Sequence, residues 1–140
     1  MHPHLITRDA AAAIRFYVDG FGATEKYRLD MPDGRIGHAE LRIGDFELHL
    51  GDEFPEQGFL APGEGIPPVS LTLIVSDAAA VLDQAVAAGA DVERPLAEEF
   101  YGALTAVVRD PAGHRWLIQQ FIRDMSPAEM QAAMNEGDEG

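Results

Sequence analysis

Six side chains in the first half of this 140-residue sequence have the makings of a site: His2, His4, His38, Glu40, Glu47 and His49. In an extended segment successive side chains point to opposite faces, so residues two apart share a face. His2, His4 and Ile6 then share one face. Along Ile36 to Ile43, Ile36, His38, Glu40 and Arg42 oppose Gly37, Ala39, Leu41 and Ile43. In the next run Glu47 and His49 oppose Phe46, Leu48 and Leu50. Imidazoles and carboxylates on neighbouring strands are what a hard or borderline divalent metal takes. The same alternation also marks a plain solvated sheet face. Spacing alone leaves both readings open. The second half is milder, with Ser70, Thr72 and Ile74 alternating with Leu71, Leu73 and Val75. His114, two residues before Trp116, reads as a structural histidine packed near a helix.

Other chemistries are absent from the sequence. It has no cysteine, so no disulfide, thiolate zinc site or thiol nucleophile. It shows no Gly-x-Gly-x-x-Gly, phosphate-loop or Gly-x-Ser-x-Gly motif. Acidic residues number 24 against 10 basic ones, a formal charge of −14. Five acids and Arg123 follow Ile122, which puts −4 in the tail and −10 in the body. Such a field repels phosphate backbones, so neither nucleic acid nor an anionic membrane is expected as a partner. It would attract a cationic ligand, or simply keep the chain soluble. No run approaches the ~20 apolar residues of a membrane span. The start, MHPHLITRD, is too short and polar for a signal peptide. A soluble cytoplasmic protein is expected.

The elements that must position these residues come as one pattern written twice. Thr7-Arg8-Asp9-Ala10-Ala11-Ala12 returns 68 residues later as Val75-Ser76-Asp77-Ala78-Ala79-Ala80. Each copy leads into about a dozen helix-favouring residues, capped by Asp9 or Asp77 and ended by Gly22 or Gly89. Ala13, Phe16, Tyr17 and Phe21 line the first helix, and Ala78, Val81, Leu82, Ala85 and Val86 the second. Two alternating runs follow each helix, across the turns Gly44-Asp45 and Asp110-Pro111-Ala112-Gly113. Weaker strands precede them, Glu25 to Leu29 and Asp91 to Arg94. The fold class expected is α+β, two tandem βαβββ modules with a short C-terminal helix. Module one covers about residues 1–54, a Gly- and Pro-rich linker 55–68 and module two 69–122. Ser126-Pro127-Ala128-Glu129 is a capping box, predicting a helix over 126–134 before a frayed acidic tail, 135–140.

A duplicated βαβββ unit of this length resembles the vicinal oxygen chelate superfamily: glyoxalase I, extradiol dioxygenases, and fosfomycin- and bleomycin-resistance proteins. Thr7-Arg8-Asp9-Ala10, Phe16-Tyr17 and Phe21-Gly22-Ala23 are similar to its PhnB-like branch. So are Met31-Pro32-Asp33-Gly34-Arg35-Ile36-Gly37-His38-Ala39-Glu40-Leu41, Asp52-Glu53-Phe54-Pro55, Ala87-Ala88-Gly89-Ala90, Tyr101-Gly102 and Arg109-Asp110-Pro111-Ala112-Gly113-His114-Arg115-Trp116. In metal-using members the first and last strands of each half supply one ligand each. By position those sites are His2, Glu47, Ser70 and Leu117; one inward step gives His4, His49, Thr72 and Gln119. Either way the good ligands lie only in the first half. The resemblance therefore implies no cofactor, with a divalent metal on His2 and Glu47 as the alternative.

The resemblance further implies a small-molecule ligand and a homodimer, with module one of one chain facing module two of the other. The first function expected is metal-free binding in that dimer crevice. His4, His38, Arg42, His49, Ser70, Thr72, Leu117 and Gln119 would form its walls, with the aromatic residues Phe100 and Tyr101. The alternative is a divalent-metal-dependent lyase, isomerase or dioxygenase, with Glu47 as catalytic base or ligand and Glu40 second. The ligand expected is cationic or neutral and aromatic.

Overall fold

A computed structural model describes residues 1–139. Module one consists of β1 (His4–Thr7), α1 (Ala10–Phe21), β2 (Thr24–Asp30), β3 (Ile36–Ile43) and β4 (Phe46–Asp52). Module two repeats the order as β5 (Ser70–Ile74), α2 (Ala78–Ala88), β6 (Asp91–Glu99), β7 (Ala103–Arg109) and β8 (Arg115–Phe121). The strand orders are β1-β4-β3-β2 and β5-β8-β7-β6, so the two sheets are topological copies. In each, the first strand pairs parallel with the last and the other pairs are antiparallel. The fold is the expected α+β pair of βαβββ modules.

The helix ends are built as the repeat requires. Asp9 accepts from the Ala12 amide at 3.0 Å, and Asp77 from the Ala80 amide at 3.1 Å. Gly22 and Gly89 close the helices with φ of 70° and 119°, a conformation that costs a residue with a Cβ. A further tie recurs at the same spacing. Asp52 accepts from the Ala10 amide at 2.8 Å, and Gln120 from the Ala78 amide at 2.9 Å.

One core serves both modules. Ala13, Phe16 and Tyr17 of α1 and Leu41, Leu48 and Leu50 of the first sheet share a cluster with Ala85, Val108, Trp116 and Ile118. α1 packs on α2 closely enough that a Cβ on Gly20 would lie 3.3 Å from that of Ala88. At the centre Asp110, 3% exposed, accepts hydrogen bonds from Tyr17 Oη and from Trp116 Nε1 at 2.8 Å. Its other oxygen accepts from the Ala112 and His114 amides at 2.9 and 3.0 Å. Burial, and then the neighbouring Asp110 carboxylate, push the Tyr17 hydroxyl pKa well up. No strand of one sheet pairs with the other. The alternate residues of both sheets, the polar sets, turn away from the helices.

Two boundaries differ most from expectation. β6 runs to Glu99, well past Arg94, although Pro95 lies within it. That is allowed because β6 is an edge strand and its register shifts between Arg94 and Ala97. The capping box forms, with Ser126 and Glu129 exchanging hydrogen bonds at 3.1 Å. The helix it opens, α3 (Pro127–Glu139), continues beyond the expected end at residue 134. Gly140, the end of the tail expected to fray, lies outside the described residues. Among the described residues no helix is long and apolar enough to cross a membrane.

Candidate functional site

On module one's polar face the expected residues come together. His49 is opposite His4 on β1 and opposite Glu40 on β3. The rings form a chain: His2 stacks on His49 at 4.9 Å, His49 meets His38 edge-on at 5.1 Å, and His38 stacks on His4 at 5.7 Å. Glu47 lies 3.1 Å from His2 Nε2, and Glu40 is 2.9 Å from His38 Nε2. His49 Nε2 is buried with no hydrogen-bond partner, 3.6 Å from Glu47 and 3.7 Å from Glu40. Beyond His4 a pocket of about 340 Å³ is walled by Phe54, Phe59, Met31 and Ile6.

Two residues of this face escaped the sequence reading. Lys26 Nζ contacts Glu47 and lies 3.6 Å from Glu40, while Tyr27 Oη donates to Glu40. Strict alternation would send Lys26 and Tyr27 to opposite faces. A register shift between Glu25 and Tyr27 bends β2 so that both reach Glu40. The weak pattern of the Glu25 to Leu29 run carried no signal of that bulge.

The electrostatics follow from these contacts. The Tyr27 hydroxyl, and after it His38, hold the Glu40 pKa down to about 2. The Lys26 ammonium lowers that of Glu47, and Glu47 raises that of Lys26. Burial, and then the nearby rings of His38 and His49, lower that of His4. The face therefore brings two carboxylates, one ammonium and four imidazoles together. Arg42 stands opposite Glu47 in register yet forms no ion pair among the described residues.

Module two's polar face has different chemistry. Ser70 and Thr72 are exposed on β5, opposite Arg115 and Leu117. Tyr101 Oη pairs with Thr105 Oγ1 at 3.0 Å, and Gln119 Nε2 donates to Tyr101 at 3.3 Å. Phe100 abuts Tyr101 edge-on and is 40% exposed, leaving an aromatic rim. Arg109 and Arg115 both turn to Glu93, at 3.0 and 3.1 Å. Thr105 and Glu93 were not among the sequence candidates. His114 is structural, but its ring reaches the Ile6 carbonyl of β1 at 2.9 Å rather than a helix. It thus helps close a cleft of about 510 Å³ between the modules, roofed by residues 60–69.

The register corrects the correspondence between halves. His4 faces His49 and Thr72 faces Leu117, so with the 68-residue repeat the counterpart of Leu117 is His49. Glu47 corresponds to Arg115 instead. The metal set implied by the resemblance does not fit this donor chemistry. Ser70 and Leu117 bring a hydroxyl and a methyl-tipped chain, and the carboxylates of module one already face an ammonium.

Residues 1–118 match the model of the Glyoxalase/Bleomycin resistance protein/Dioxygenase superfamily. An uncharacterized protein of Mycobacterium bovis, Mb0911c, is 39% identical over all of this chain and 95% of its own. Among solved structures, protein PA1353 of Pseudomonas aeruginosa is 29% identical with a TM-score of 0.71, over 88% of this chain and 98% of its own. TioX of Micromonospora sp. ML1 is 27% identical with a TM-score of 0.70, over 87% of this chain and 98% of its own. With two βαβββ modules and a family match across most of its length, the chain belongs to the glyoxalase/bleomycin resistance protein/dioxygenase superfamily.

Proposed function

We propose that this chain is a metal-free small-molecule-binding member of the superfamily, holding its ligand in crevices between two copies of itself. The observation that carries the reading is that each polar sheet face is a single wall. Both turn away from the shared helices, and no strand of one sheet pairs with the other. Module one of one copy against module two of the other makes two complete pockets from these half-walls. Module one contributes His4, His38, His49 and Glu40; module two contributes Ser70, Thr72, Leu117 and Gln119 with the Phe100–Tyr101 rim. The motifs quoted above support a PhnB-like member of the superfamily, and a cytoplasmic setting goes with that reading.

The charge of the body does not carry over to this pocket. The ion-paired groups of module one's face, Glu40, Glu47 and Lys26, sum to one net negative charge, and the exposed Arg42 offsets it. Module two's holds one net positive charge, from Arg109, Arg115 and Glu93. The ligand class that suits both walls is a neutral or cationic aromatic. Its donor groups go to the Glu40 side, and any acceptor goes toward Arg115. His49 Nε2, buried and unpartnered, supplies one more polar contact.

Thermal-shift screening of chelator-treated, tag-free protein with matched cationic, neutral and anionic aromatics tests this. A ligand that binds only the native state raises the melting temperature. Stabilisation by cationic or neutral compounds without metal is expected. Stabilisation by anions alone overturns the charge reading, and stabilisation that requires an added divalent ion overturns the metal-free one.

A further inference from the structure

The side chains on module one's face attract divalent ions in most settings. Ligand atoms of His2, Glu47 and His49 lie within 4.8 Å of one another, as do those of His38, Glu40 and His49. Among these groups stands the Lys26 ammonium, in contact with Glu47 and 3.6 Å from Glu40. We propose that Lys26 is the resident cation of this face, standing where a divalent ion would neutralise the carboxylates, and that a neutral residue there opens a transition-metal site on His2, Glu47 and His49.

Lys26 donates to one oxygen of the Glu47 carboxylate, Oε1, while the other, Oε2, faces His2 and His49 and would bind a metal with them. A divalent ion must displace that ammonium or sit within a few ångströms of it, where like charges repel strongly. With the ammonium gone, two carboxylates face each other with no lysine between them, and His49 Nε2 has no hydrogen-bond partner within the chain to compete with a metal. Three protein ligands and a water then complete a tetrahedral sphere. Module two shows the same economy independently. Its counterpart of Glu47 is Arg115, and the Glu93 carboxylate is neutralised by Arg115 and Arg109. Both faces thus carry their own side-chain cations.

The inference rests on the metal-free reading above and is tested on the tag-free full chain. Wild type, Lys26→Met, Lys26→Gln, Lys26→Arg and a Lys26→Met/His49→Ala double variant are titrated with Zn²⁺ by calorimetry and with Co²⁺ by visible absorption. Lys26 is on an edge strand with a third of its side chain exposed, so both neutral variants are expected to fold, checked by circular dichroism. They should bind one ion per chain about 100-fold more tightly than wild type, the scale of removing a like charge a few ångströms away. Lys26→Arg should behave as wild type, and the double variant should lose both the ion and the four-coordinate Co²⁺ band. Folded neutral variants that bind no better than wild type overturn this inference and leave the metal-free reading intact. Tight stoichiometric binding by wild type overturns both.

Discussion

Replacing Tyr17 by phenylalanine removes one hydroxyl from the buried node that ties α1 to the β7–β8 turn. Tyr17 is 0% exposed and its hydroxyl donates to Asp110, a carboxylate that also accepts from Trp116 and two backbone amides. A hydrogen bond to a charged acceptor contributes about 1.5–3 kcal/mol, so the loss should be about 2 kcal/mol. At ~4 °C per kcal/mol for a chain of this length, the melting temperature should fall by about 8 °C. Asp110→Asn should cost more. Its amide NH₂ must face either Tyr17 and Trp116 or the Ala112 and His114 amides, which sets donors against donors for ~3–5 kcal/mol. Urea unfolding followed by the fluorescence of the single tryptophan, itself part of the node, reads both variants. Made together, they should cost less than their sum by about 1 kcal/mol or more, because both act through one carboxylate. A Tyr17→Phe variant within ~0.5 kcal/mol of wild type, the range of a neutral surface change, would refute the reasoning. So would strict additivity.

Two further expectations concern the site and the repeat. Glu40 should titrate near about 2 in wild type and move back toward its ordinary 4.5 in Tyr27→Phe, read by carboxyl NMR. A depressed acid stabilises fully above its ordinary value and loses that contribution as pH falls through the folded one. The Glu40 contacts should therefore survive at pH 4 in wild type and begin to fail at higher pH in Tyr27→Phe; equal acid profiles would count against the assigned donor. Asp9→Ala and Asp77→Ala should each cost about 1 kcal/mol, the usual value of an N-cap. As equivalent caps in separate helices, their costs should add within ~0.5 kcal/mol in denaturant unfolding.

Much of this arrangement was legible in the residues because it is local. The Asp caps, the Gly stops and the period-two alternation of Ile36–Ile43 fix each element within a few positions, and the 68-residue echo fixes the duplication. Glu40, Glu47 and the four histidines group together in the sequence because alternation puts them on the polar faces of neighbouring strands, a pattern that a solvated sheet face shares. What alternation could not give was the effect of a bulge, and so Lys26 and Tyr27 were missed at the point where β2 breaks register. Nor could it give pairing between strands distant in sequence. The correspondence of Leu117 with His49, and the turning of two arginines onto Glu93, depend on β5–β8 register and on side-chain reach. Proline within a run argues against a central strand, and only the position of β6 at the sheet edge makes Pro95 acceptable in its interior.

The central claim, a metal-free pocket shared between two copies, is tested most directly by native mass spectrometry of tag-free protein sprayed from ammonium acetate. The account predicts a dimer at twice the 15.2 kDa chain mass with no stoichiometric metal adduct. A species of one chain mass at micromolar concentration would contradict the shared pocket, and one bound divalent ion per chain would contradict its metal-free chemistry.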